Sequence, residues 1–194
     1  MVNIREEKAA DVAARESLLD AAYGPARFTK ASERLREGRL LANGLSLVAI
    51  ERGQIVGTVR LWHVMAGPAR PALLLGPLAV HPDHRNRGIG SALVRRASAR
   101  ARLAGHAAIL LIGDLSYYGR FGFTAERTGQ LWMPGRFERA RLLALELRPG
   151  ALAGAGGLIS PTGQSQPRPE LNRLIAAHGD SRRARARKLV QRAA

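Results

Sequence analysis

Arg85-Asn86-Arg87-Gly88-Ile89-Gly90-Ser91 stands between an apolar run, Leu73 to Val80, and a helical pattern that opens at Gly88 and continues to Ala104. A strand, a turn rich in arginine and glycine, and then a helix present main-chain N–H groups at the positive end of that helix. Such an end binds phosphate, and glycine lets a pyrophosphate approach the backbone closely. Two other phosphate sites fit less well. A dinucleotide fold wants Gly-x-Gly-x-x-Gly/Ala, but Leu93 stands where the third small residue belongs. The acidic residue expected about 20 positions on is missing too, since Asp114 follows the next strand. A P-loop is excluded because Gly-Lys-Ser/Thr does not occur.

Other residues able to do chemistry are scattered. Tyr117 and Tyr118 lie just beyond a second apolar run, Ala107 to Ile112. His63 ends one strand pattern and His81 follows another; either is a candidate general base, or a half-buried histidine of the frame. His84 reads as a turn residue. Glu51 or a water relay is a further candidate for the base. Trp62, Trp132 and Phe137 suit core packing better than an acceptor pocket. No His/Asp/Glu cluster has metal-ligand spacing, and the absence of cysteine removes thiolate ligands and nucleophiles.

The elements that must carry these groups read as follows. Val2 to Arg5 is a short strand. Lys8 to Tyr23 is a helix with Val12, Leu19 and Tyr23 on one side, stopped by Gly24-Pro25. Ala31 to Glu37 is a short polar helix. Leu45 to Glu51 and Ile55 to Val64 form a hairpin about Gly53. Leu73 to Val80 is apolar on both faces, as a central strand is. In the helix from Gly88 to Ala104, Ile89, Leu93, Ala97 and Ala101 recur along one stripe, and Gly105 follows as its stop. Leu115 to Phe121 is a helical turn and Leu142 to Leu147 a last strand. The alternation predicts a mixed α/β sheet with helices on its faces.

A chain of 194 residues, 46% hydrophobic, supports one core. Residues 1–149 hold the element pattern. From 150 onward Gly and Pro dominate, which predicts a linker, and Ser181 to Arg192 is a basic run. The net charge is +16, a field that attracts anions. For residues 181–192 it suggests an anionic partner, and a nucleic-acid or ribosome binder is the alternative function. With aromatics at 5%, that alternative lacks an interleaved stacking platform. No apolar run reaches the roughly 20 residues of a membrane span, and no secretory leader pattern opens the chain. The expected setting is cytoplasmic, without a membrane, as monomer or homodimer.

HRNRGIGSALV, followed by ILLIGDLSYYGRFGF, resembles the GNAT superfamily of acetyl-CoA-dependent N-acetyltransferases. The likeness spans about residues 2–148 and rests on Arg85-x-x-Gly88-x-Gly90 with Tyr118-x-x-x-Gly122-Phe123, in the family's order. It implies a mostly antiparallel central sheet splayed at the cofactor site. It implies that the amides of Arg85, Asn86, Arg87, Gly88, Ile89 and Gly90, with Ser91, hold the CoA pyrophosphate. It implies that the main chain of Leu78, Ala79 and Val80 pairs with pantetheine like an added strand. Tyr118 would contact the cofactor and protonate the departing thiolate; a phenol with reference pKa near 10 is a donor at neutral pH. The implied reaction is direct transfer of an acetyl group to a primary amine of a small molecule or peptide, without a metal. Relatives that carry an acid on the strand before the phosphate turn differ here, because Leu73 to Val80 has none.

Overall fold

The computed structural model describes residues 1–167. In chain order these form β1 (Asn3–Glu6), α1 (Val12–Tyr23), β2 (Ser46–Glu51), β3 (Gln54–Ala66), β4 (Arg70–Val80), α2 (Ile89–Leu103), β5 (Ala108–Ile112), α3 (Leu115–Tyr118), β6 (Leu131–Trp132), β7 (Leu142–Glu146) and β8 (Gly157–Pro161). Arg52 and Gly53 take φ of 51° and 79°. Two successive left-handed residues match strand twist, so the runs on either side close as the expected hairpin.

The main sheet has the order β1-β2-β3-β4-β5-β7. Every neighbouring pair is antiparallel except β4 with β5. The central strand expected at Leu73 to Val80 is therefore β4. Its parallel pairing with β5 covers only Leu73–Ile109 and Leu74–Leu110. Beyond Leu74 the two strands part. Where β4 meets β3, the register slips between Val59–Leu78 and Leu61–Leu75, so β4 bulges at Gly76-Pro77.

α2 lies on one face of the sheet. Its stripe is buried as its spacing predicts: Ile89 is 4% exposed, and Leu93, Ala97 and Ala101 are 0%. They join Leu47, Val59, Leu73, Ile109 and Phe123 in one core cluster. Trp62, Leu74, Leu110, Leu131, Leu142, Leu152 and Ile159 form a second cluster.

Three expectations about the elements need correction. α1 turns Arg15, Leu18 and Leu19 inward; of the expected side Val12, Leu19 and Tyr23, only Leu19 is buried, and Val12 and Tyr23 are exposed. An arginine can face inward here because Glu7 and Glu16 pair with it. Ala31 to Glu37 is not a polar helix. It is a single tight turn at Glu33–Leu35, with Ala31, Leu35 and Arg36 buried. Finally, 150–164 is no linker. β8 pairs with the far end of β3 through Val64–Pro161, Met65–Ser160 and Ala66–Ile159, and also with β6. The glycines there serve tight turns between buried Leu152, Ala155 and Ile159. Met1–Gln164 is accordingly one compact unit, and Ser165 begins a second. The basic run at 181–192 lies outside the described residues.

Candidate active site

The turn before α2 has the geometry of an anion cradle. Asn86 and Gly88 take φ of 60° and 78°, and Gly88 caps the helix with no side-chain bond. The Arg85 amide is spent on the Pro82 carbonyl at 3.2 Å. The amides of Asn86 through Ser91 donate to no main-chain carbonyl; the first helical bond runs from Ala92 to Gly88. Of the expected donors, Arg85 to Gly90 with Ser91, only Arg85 is already bonded, and Asn86 to Ser91 are left. Gly88 is required for its left-handed backbone, since a Cβ there would meet nothing within 4 Å. Gly90 is different. A Cβ there would fall 2.7 Å from the Tyr117 hydroxyl, which reaches this turn from α3. The Ile89 side chain is buried, so only its amide serves the turn.

Glu51 clamps the turn from behind. It accepts two bonds from Arg87, at 2.7 and 2.9 Å, and lies 3.1 Å from His84 Nε2. The Arg87 guanidinium holds the Glu51 carboxyl below its usual range. Glu51 is therefore a clamp on the turn and is not placed to act as a base. His81 caps the turn, Nδ1 accepting from the Asp83 amide at 3.3 Å. The His63 ring meets His106, with centroids 5.4 Å apart.

The parting of β4 and β5 opens the second part of the site. His81 N–H donates to the Val56 carbonyl, and antiparallel residues alternate in which way their polar groups face. Ala79 therefore turns its N–H and C=O to Thr58 on β3, while Leu78 and Val80 turn theirs into the opening. Of the three residues expected to offer main chain there, Ala79 does not. The Leu78 carbonyl accepts from the Tyr23 hydroxyl of α1. The bulge at Gly76 is held by Trp62, whose Nε1 donates to the Gly76 carbonyl at 2.7 Å. Trp62 is thus part of the frame. Trp132 is 56% exposed with Arg139 stacked on it, and Phe137 lines the cavity described next.

A cavity of about 590 Å³ lies beside the opening, lined by Leu75 to Leu78, Gly113, Tyr117 and Tyr118 among others. The Tyr118 ring packs edge-on against Phe123, centroids 5.8 Å apart, and over Gly113. Burial, with Tyr23 and Tyr117 close by, pushes its phenol well above the ordinary range. A neutral phenol facing a cavity is a proton donor over the whole physiological pH range. The cavity also holds Arg27, Lys30, Arg36, Arg136 and Arg141. Sequence reading missed these and Tyr23, because no local pattern joins residues 23 to 36 with 136 to 141. Among the described residues no group of three His, Asp or Glu gathers as metal ligands do, and no helix is long and apolar enough to cross a membrane.

A splayed sheet, an amide-lined turn at a helix start and a tyrosine over the adjoining cavity define an acyl-CoA-dependent transferase. The model of the acetyltransferase (GNAT) domain matches residues 42–125, so this stretch carries a GNAT N-acetyltransferase domain, whose co-substrate is acetyl-CoA. It is similar to the N-acetyltransferase YhbS of Escherichia coli K12, 28% identical over 157 residues, covering 80% of this chain and 93% of that protein. YjhQ of the same organism is 30% identical over 105 residues, covering 53% and 58%. The solved structure of E. coli YhbS in complex with CoA superposes with a TM-score of 0.70 at 28% identity, covering 83% of this chain and 89% of that one. A GNAT acetyltransferase from Brucella melitensis in complex with acetyl-CoA gives 0.61 at 29%, covering 87% and 96%.

Proposed function

We propose that this enzyme moves the acetyl group of acetyl-CoA directly to a primary amine of a small molecule or peptide, in the cytoplasm. The observation that carries the reading is the end of β4–β5 pairing at Leu74–Leu110. It leaves one opening with the amide turn beside it and the Tyr118 cavity facing it. The free amides of Asn86 to Ser91 suit the pyrophosphate, aided by the positive end of α2. The main chain of Leu78 and Val80 suits the amides of pantetheine, as an edge strand accepts an added one. Tyr23 would release the Leu78 carbonyl when that pairing forms.

Acetyl-CoA supplies the acyl group as a thioester, whose C–S bond breaks as the amine nitrogen bonds to the carbonyl carbon. Tyr118 holds its phenolic proton at Oη and delivers it to the leaving sulfur. With Glu51 bound to Arg87 and His81 turned to Asp83, neither acts as base. The amine enters neutral, and water carries away the proton it sheds after attack.

Titration calorimetry with acetyl-CoA and with CoA tests the reading. Binding at micromolar concentrations is expected. It should be lost when Gly88 and Gly90 are both replaced by valine, which denies the turn its left-handed residue and drives a Cβ into Tyr117. An absence of heat at hundred-micromolar acetyl-CoA would overturn it.

A further inference from the structure

The acceptor side of the cavity carries more cations than its own acids can satisfy. Arg27, Lys30, Arg36, Arg136 and Arg141 line it against only Asp114 and Glu138. Both acids are engaged by one residue: Arg141 lies 3.4 Å from Asp114 and 3.7 Å from Glu138. Arg27 is paired with Glu16 at 2.5 Å and Asp20 at 3.0 Å, two acids that do not line the cavity. Lys30 has no carboxylate partner among the described residues. It stands 4.4 Å over the Tyr23 ring. Its ammonium is pushed below its usual range by burial and by Arg36 and Arg141, so three cations face one small volume.

Arg36 is the strongest sign. It is only 7% exposed, and burying a guanidinium is costly unless its donors are filled. One Nη bonds Glu33 at 2.5 Å. The Nε–H is buried with no acceptor. The other Nη lies 3.5 Å from the point where a Cβ on Gly76 would stand, beside the β4 bulge. None of the residues from Asn86 to Ser91 lines this cavity, so these cations are separate from the phosphate turn.

We infer that the acceptor is an amine that also carries an anionic group, a carboxylate or a phosphate monoester, seated by Arg36 and Lys30 while its amine faces Tyr118. This rests on the acyltransferase reading and narrows its substrate class. A polyamine would bring further positive charge among Arg36, Lys30 and Arg141. An anionic amine fills unused donors, and the planar guanidinium of Arg36 matches a carboxylate or phosphate edge.

The test is acetylation of matched amines by the full chain. β-Alanine is compared with 3-aminopropanamide, phosphoethanolamine with ethanolamine, and spermidine stands as the polycation. The anionic member of at least one pair should have a kcat/KM at least tenfold higher, carried mainly by KM. Which pair shows the larger ratio separates carboxylate from phosphate. Lys30→Met, at an exposed position, should cut that ratio severalfold without changing acetyl-CoA affinity by calorimetry. Arg36→Met should bring it near unity; if that variant fails to fold, Lys30→Met decides. Equal rates within both pairs, preference for spermidine, an unchanged ratio in Lys30→Met, or no turnover of any of these amines overturns the inference. Loss of acetyl-CoA binding in the unaltered chain would instead overturn the acyltransferase reading, so the two failures are distinct.

Discussion

A Cβ placed on Gly113 would lie 2.2 Å from Cε2 of Tyr118 and 2.6 Å from its Cδ2. The ring of the proposed acid thus rests directly on the main chain just past β5, and the missing side chain of Gly113 sets its height above the cavity. Gly113→Ala should tip the ring away while leaving the fold intact. Steady-state kinetics should show kcat lower by roughly 10-fold to 100-fold, as small misplacements of reacting groups cost. Acetyl-CoA affinity should hold within about twofold. An unchanged kcat would mean that the position of this ring is irrelevant to catalysis.

Removal of the phenol itself is the sharper change. Tyr118→Phe should fold, bind acetyl-CoA and lose roughly 10²–10⁴ in kcat. Because burial raises the Tyr118 pKa, its donor form survives as pH rises. The unaltered enzyme should therefore show no alkaline decline up to about pH 10, the reference value of a phenol. A decline centred near pH 8 that vanishes in Tyr118→Phe would contradict this. If Tyr117→Phe alone produces the loss, the acid is its neighbour at the Gly90 turn.

Glu51 holds the phosphate turn through Arg87 and His84, so its loss should be felt in cofactor binding. Glu51→Gln should raise KM for acetyl-CoA by roughly 3-fold to 10-fold, a modest effect fitting a pair at the surface. Its kcat should stay within about twofold. A large fall in kcat with unchanged KM would restore Glu51 as a candidate base.

Glu7 faces one buried arginine, Arg15, and one half-buried arginine, Arg60. Its side chain is 7% exposed, bonds Arg15 and Ser46, and lies 3.3 Å from Arg60. Among the described residues, Glu7→Gln leaves Arg60 without a carboxylate partner and Arg15 with Glu16 alone. Breaking a buried pair costs about 3–5 kcal/mol, which urea unfolding should report as a lower midpoint. A loss below about 1 kcal/mol would place the network in the solvent-screened class.

A chain ending at residue 149 lacks β8 together with Leu152 and Ile159, 2% and 0% exposed. Each side chain contributes about 1.5–3 kcal/mol on burial, and the end of β3 loses a partner strand. That chain should unfold at a clearly lower temperature than one ending at residue 167. Equal melting temperatures would show that 150–164 adds nothing to the core.

The sequence by itself determined the parts of this protein that are local. The stripe Ile89, Leu93, Ala97 and Ala101 is fixed by helical spacing, and the hairpin at Arg52-Gly53 by backbone freedom. The free amides of the turn before α2 follow from a glycine that caps α2 with φ of 78°. The Tyr118 motif is likewise contained within six residues, Tyr118 to Phe123. Tertiary structure decided what depends on residues far apart in the chain. Glu51 became a clamp because β2 ends beside the phosphate turn. Ala79 turned from the opening because its register with Thr58 is set by β3. The glycine-rich stretch before 164 became a strand because the long β3 offered an unpaired edge beyond β2. Lys30, Arg36 and Arg141 came to face one cavity because the turns after α1, the β4 bulge and the loop before β7 converge there. Charge and edge pairing act through space, and no spacing along the chain encodes that convergence.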